Sequence, residues 1–210
     1  MCIEPIVYIV DDDPTIRDVL EVIFTSQNIA VKLFASAEEF LLDFDSDNAG
    51  CILLDIMLPG MNGIELHKVI AAFGNRVPVI FITGTAEVSI AVERLKAGAT
   101  DFITKPFDRA TVLNTVKGAL EIDAAARKNR IRHQDVIARF QRLTPREIEV
   151  MQEVVKGLPN KSIARNLGIS SRTVEVHRKN LMEKTKAKSS AELVMMWVDM
   201  KQELPFDGAR

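Results

Sequence analysis

Over the first half of the chain, short unbroken apolar runs alternate with stretches in which apolar residues recur every three or four positions. Residues 6–10 (IVYIV) form one such run, and Pro14 stands where a helix begins, since the first helical turn leaves its amides unbonded anyway. Ile16, Val19, Leu20, Ile23 and Phe24 then repeat at helical spacing over 15–26. A short strand is predicted at 31–34, and Ser36 is placed to cap a helix carrying Phe40 and Leu41. The runs at 51–54 and 77–82 each precede a helical pattern, over 63–73 and 87–97, the second closed by Gly98. Residues 101–104 make a fifth strand, and 109 to about 120 a fifth helix. Strict alternation with strands rich in Val, Ile and Leu predicts an α/β fold, a five-stranded parallel doubly wound sheet covered on both faces.

The pattern changes after residue 121. Residues 122–139 turn to Ala and Arg, with a Lys and a Gln and without Gly or Pro, a helical linker that can continue the fifth helix. Four helical patterns follow, at 145–156, 161–167, 172–185 and 190–201, so the end of the chain is expected to be all-α. This divides the chain into a first domain over 1–121, a linker over 122–139 and a four-helix domain over 140–205. Charge supports the division. Residues 1–122 carry 9 Lys/Arg against 18 Asp/Glu, a net of −9, whereas residues 123–210 carry 18 against 11, a net of +7. A basic half is the footprint of a nucleic-acid binder, and the acidic half is repelled by DNA. The two cysteines, Cys2 and Cys51, make neither a disulfide framework nor a zinc site. No apolar stretch approaches the roughly 20 residues of a membrane span, and the N-terminus lacks the basic-then-apolar order of a secretory signal. A cytoplasmic protein that does not engage membranes is expected.

Ligands of parallel sheets bind beyond the carboxyl ends of the strands. Asp11, Asp55, Thr83 and Lys105 all fall at or just past such ends, which points to one site built from four loops. Converging carboxylates of Asp11, Asp12 and Asp55 would repel by roughly 4 kcal/mol per pair at about 4 Å. Mg²⁺, which favours one or two carboxylates plus water and phosphate oxygens, suits that set, as would another divalent cation such as Mn²⁺. Asp55 is then the nucleophile that accepts a phosphoryl group, with Lys105 and the Thr83 hydroxyl meeting its oxygens. Asp13, directly before Pro14, reads instead as an acidic residue decorating a helix N-terminus.

The segments YIVDDDP, CILLDIMLPGMNGIEL, VIFITG and AGATDFITKPF resemble the motifs of two-component receiver domains over about residues 5–120. The resemblance implies that Asp55 is the phosphoacceptor. It implies Asp12, Asp55 and the Met57 backbone carbonyl as direct metal ligands, with Asp11 acting through water. Thr83 and Phe102 correspond to the switch pair, Lys105 and Pro106 to the phosphoryl-sensing dipeptide with a cis bond. Phe102 stands where Tyr is frequent, so a switch there acts by packing alone. Met57 also counts against a phosphatase, because hydrolases that use an aspartyl phosphate often place an acid two residues after the nucleophile. The implied protein is not an enzyme beyond its own phosphoryl transfer and dephosphorylation.

The stretch from LTPREIEV to KSSAELV resembles the LuxR-type helix-turn-helix over about residues 142–196, and LPNKSIA with RTVEVHR resembles its FixJ-like branch within the NarL/FixJ family. The local physics agrees. Gly168 permits a sharp turn between two helices, and Ser170 or Ser171 can cap the second, whose first turns would enter the major groove. On that helix Val174, His177 and Leu181 share the core face, while Arg172, Glu175, Val176, Lys179 and Glu183 face away. Glu175, Val176 and Lys179 are therefore candidates for base contacts. Lys161, Arg165, Arg172, Thr173 and Arg178 are candidates for phosphate contacts. Together the resemblances imply a transcription factor phosphorylated by a sensor histidine kinase. It would form a homodimer on phosphorylation, bind double-stranded DNA and work with RNA polymerase.

Overall fold

The computed structural model describes residues 4–45, 48–74, 77–84 and 100–203. The chain separates into two compact units, Met1–Arg127 and Lys128–Arg210.

The first unit holds five parallel strands: β1 (Ile6–Val10), β2 (Ala30–Phe34), β3 (Gly50–Asp55), β4 (Val79–Thr83) and β5 (Asp101–Thr104). Their order across the sheet is β2-β1-β3-β4-β5, so β3 is central. Alternate side chains of each strand enter opposite cores, as the period of two demands. Tyr8, Val10, Ile52 and Leu54 pack on helices α2 (Ala37–Asp43) and α3 (Gly63–Ala72). Val7, Ile9, Cys51 and Leu53 pack against α1 (Pro14–Thr25) and the start of α4 (Arg109–Phe140). The expected doubly wound sheet is thus present. The helix predicted over 87–97, with its Gly98 cap, lies outside the described residues.

Local signals set the helix ends. Asp13 Oδ1 accepts the Thr15 amide at 2.8 Å, and Pro14 occupies the first turn of α1. Ser36 Oγ caps α2 through the Glu39 amide, 3.1 Å away. Asn62 and Glu65 form a reciprocal capping box at α3. Helix α4 is one uninterrupted element of 32 residues, so the linker does continue the helix that follows β5. The composition change near residue 121 and the end of the first unit at Arg127 do not coincide, because Asp123 and Arg127 are bound at the base of the sheet.

The second unit contains the remainder of α4, then α5 (Pro145–Val155), α6 (Asn160–Leu167), α7 (Ser171–Thr185) and α8 (Ser190–Glu203). Its core is built from Phe140, Val150, Ile163, Val174, Leu181, Leu193 and Trp197, among others. No helix among the described residues is long and apolar enough to cross a membrane.

Candidate functional sites: an acidic pocket and a helix-turn-helix face

Three loops at the carboxyl edge of the sheet carry the pocket. Asp11 directly follows β1 and is fully buried, Asp12 beside it is exposed, and Asp55, the last residue of β3, is 5% exposed. One carboxylate oxygen from each of the three lies within 4.8 Å of the others. Lys105, just past β5, reaches between them: its Nζ donates to Asp11 Oδ2 at 2.8 Å and to Asp55 Oδ2 at 2.5 Å. The predicted convergence of Asp11, Asp12, Asp55 and Lys105 is present in the geometry.

Backbone bonds fix each member. Asp11 Oδ1 accepts the Asp13 amide at 3.0 Å, and Arg17 on α1 donates to the Asp11 carbonyl at 2.6 Å. The Met57 amide donates to Asp55 Oδ1 at 2.9 Å, which curls the loop back over the carboxylate, while the Met57 side chain is 62% exposed. Gly63 opens α3 against this turn; a Cβ there would meet the Asp55 carbonyl oxygen at 2.0 Å, so only glycine allows the approach. Glu38 from α2 accepts the Met61 amide at 3.2 Å and steadies the far side of the same loop.

Burial is the largest influence on Asp11 and pushes its carboxyl above the ordinary range, although the Lys105 ammonium and the Asp13 amide act the other way. Burial alone would lower Lys105, but its hydrogen bonds to the two aspartates outweigh that and hold it above the usual lysine value. The donor set is all hard oxygen, without His or Cys, and crowded with like charge. A small divalent cation fits that chemistry.

Thr83 ends β4 and is fully buried; β4 pairs with β3 through Asp55 and Ile82. Its hydroxyl donates to the Gly84 carbonyl at 3.2 Å, and its own carbonyl accepts the Lys105 amide at 2.7 Å. Phe102 on β5 is half-buried and packs on the core that contains Tyr8 and Phe81. The Lys105–Pro106 peptide is cis.

In the second unit α6, a turn and α7 form the other candidate surface. Gly168 closes α6 with φ +65°, the left-handed conformation that the sharp turn requires. Ser170 rather than Ser171 is the cap of α7, accepting the Thr173 amide at 3.0 Å. Val174 and Leu181 are fully buried, and His177 is half-buried on the same side. Arg172, Glu175, Val176 and Lys179 are exposed on the other side of α7, and Lys161 and Arg165 are exposed on α6. Lys179 Nζ lies 3.9 Å from Glu183. Two of the predicted contact residues are engaged locally: Thr173 Oγ1 is 2.7 Å from Ser170 Oγ, and Arg178 donates to Ser190 Oγ at 3.1 Å.

Sequence reasoning passed over two buried carboxylates. Glu147, 3% exposed, accepts Lys184 Nζ at 2.7 Å and the Thr144 amide at 2.8 Å, and so ties α5 to α7. The spacing Thr144-x-x-Glu147 is the capping-box signature, which could have identified half of that role. Asp123 is bound at the start of β3, 73 residues away in sequence, and no local signal marks it.

Comparison with known proteins gives a consistent result. Residues 7–117 match the family described as response regulator receiver domain, and residues 141–197 match bacterial regulatory proteins of the luxR family. The transcriptional regulatory protein FixJ of Rhizobium meliloti is 44% identical over 190 residues, covering 90% of this chain and 93% of that protein. The response regulator protein TmoT of Ectopseudomonas mendocina is 37% identical, over 96% of this chain and 91% of its own. Among solved structures, the response regulator StyR superposes with a TM-score of 0.86 at 37% identity, covering 93% of this chain and 99% of StyR.

Proposed function

The chain belongs to the FixJ-like NarL/FixJ family of two-component response regulators, and on that premise we propose that a sensor histidine kinase phosphorylates it on Asp55, promoting dimerisation and sequence-specific DNA binding. The family consists of transcriptional regulators rather than classical enzymes. The observation that carries the proposal is the position of Asp55, whose carboxylate shares the Lys105 ammonium with buried Asp11 at the mouth of the sheet.

An Asp55 carboxylate oxygen attacks the phosphorus of the kinase phosphohistidine. A P–O bond forms as the P–N bond breaks, and the imidazole nitrogen keeps the electron pair. Asp11, Asp12 and Asp55, with the Met57 carbonyl, would hold Mg²⁺ or Mn²⁺. When bound, the ion offsets the mutual repulsion of the carboxylates and stabilises charge on phosphoryl oxygens. Lys105 pairs with a phosphoryl oxygen once Asp55 carries the group, beside the cis bond to Pro106. The Thr83 hydroxyl turns from the Gly84 carbonyl to another phosphoryl oxygen. Phe102, lacking a hydroxyl, follows by repacking. The chain's catalysis is confined to its own phosphorylation and dephosphorylation.

At the output end, Glu175, Val176 and Lys179 read bases, and Lys161, Arg165, Arg172, Thr173 and Arg178 meet phosphates. Their shared exposure on α6 and α7 supports this for most of them, whereas Thr173 and Arg178 must first leave Ser170 and Ser190. The dimer acts in the cytoplasm and works with RNA polymerase at its promoters.

The test is incubation with acetyl phosphate and Mg²⁺ followed by intact mass and light scattering. Wild type is expected to gain one phosphoryl group and shift toward dimer, and Asp55→Asn to do neither. A stoichiometric adduct in the variant would move the phosphoacceptor elsewhere.

A further inference from the structure

The base of the sheet, at the opposite end of β3 from Asp55, carries a second cluster of buried polar groups. Asp123 on α4 is 2% exposed, and its Oδ2 accepts the amide of Gly50, the first residue of β3, at 2.9 Å. The same oxygen accepts Arg127 Nε at 2.8 Å, one helical turn further on. Arg127 Nη2 in turn donates to the Asn48 carbonyl. Asp123 Oδ1 has no hydrogen-bond partner among the described residues, so these two donors hold the buried carboxylate.

The apolar seam of α4 on the sheet runs through Val112, Val116 and Ala119 and ends at half-buried Leu120. Beyond that, Glu121, Ile122, Ala124, Ala125 and Ala126 are all exposed. A buried carboxylate is retained only where its partners are fixed, so the clasp is a specific joint. The strand it grips is suited to relay a change. All six residues of β3 are buried, and it is bonded to β1 on one side and β4 on the other.

We infer that Asp123 and Arg127 are positioning residues of the regulatory output, locking α4 to the strand that ends in Asp55 so that a change at Asp55 reaches the helix. This rests on the phosphorylation of Asp55 proposed above. The clasp fixes where the helix becomes independent of the sheet.

The experiment uses the full chain in three forms: wild type, Asp123→Asn, which keeps the shape but loses the charge facing Arg127, and Arg127→Lys, which keeps the charge but loses the reach to Asn48. The DNA probe is a duplex enriched from a random-sequence pool by phosphorylated wild type. Four quantities are read: adduct formation with acetyl phosphate, thermal midpoint, amide exchange over 121–127, and the ratio of DNA affinities with and without phosphorylation. Both variants are expected to take up the phosphoryl group at the wild-type rate and to exchange faster over 121–127. Their affinity ratio should fall at least about fivefold toward one, the low end of a typical coupling between sites. A structural staple alone would lower the midpoint and leave that ratio unchanged, and such a result overturns the inference. So does unaltered exchange in both variants. If wild type itself gains no adduct, or gains one with no change in DNA affinity, the proposed function fails and the inference with it.

Discussion

Glu147 and Asp11 are both buried carboxylates beside a lysine, yet their protonation equilibria move in opposite directions. Asp11 shares the Lys105 ammonium with Asp55, so burial prevails and its carboxyl rises above the ordinary range. For Glu147 burial also acts upward, but Lys184 and the Thr144 amide and hydroxyl together outweigh it, and the carboxyl lies below its usual value. The sign of the pH dependence follows. A carboxyl depressed by folding contributes stability that is fully present above its unfolded value of about 4.3 and is lost as pH falls through the folded value. Glu147→Gln should therefore destabilise the second unit at pH 7 by about 2 kcal/mol, the scale of hydrogen bonds to a charged group. The deficit should shrink as the solution is acidified below about pH 4. Thermal melts followed by circular dichroism between neutral and acid pH check this; a difference in midpoint independent of pH would show that the charge of Glu147 contributes nothing.

Helix α7 separates its two tasks by face, and the separation makes distinct outcomes measurable. Lys179 and Arg165 are both exposed cations, but Lys179 lies on the face that is proposed to read bases, and Arg165 on α6 is proposed to meet phosphate. Lys179→Gln should relax sequence preference at one position of the site, by about 1–3 kcal/mol of discrimination. Arg165→Gln should weaken binding to all sequences alike and lower the slope of log affinity against log salt by about one. Titrations of selected and scrambled duplexes over a salt series check both; the same loss for every duplex in Lys179→Gln would exclude base reading by that side chain. The two faces were legible in the sequence because helical periodicity is local: Val174 and Leu181 are seven residues apart and fall on one side. The strands were legible for the same reason, and so was the acidic pocket, since each of its loops follows an apolar run. Asp123 was not, because its partner Gly50 is brought to it only by the folded sheet. Glu147 was legible as a cap for Thr144, but its pairing with Lys184, 37 residues on, was not. Periodicity reports which side of an element is buried. It carries no information about which distant polar group meets a buried one.

On the scale of the whole molecule the charge split becomes a physical constraint on DNA binding. The tethered first half carries a net −9 by the same count that gives the second half +7. The DNA affinity proposed for the second half draws on its lysines and arginines, so it is open to opposition by nearby negative charge. The acidic first half is covalently joined to the half proposed to bind DNA. Repulsion between solvated charges is screened over about 10 Å at 0.1 M salt. Removal of residues 1–127 should therefore tighten binding to a non-specific duplex at about 50 mM salt, and much less at about 200 mM. The full chain should also show the shallower salt dependence, because added salt weakens its phosphate contacts and its self-opposition together. Fluorescence anisotropy with one labelled duplex across that range compares the two proteins directly. Equal affinities at the lowest salt would mean that the acidic half is too far from bound DNA to act through its field, leaving the proposed regulation to contacts that form or break on the proposed phosphorylation.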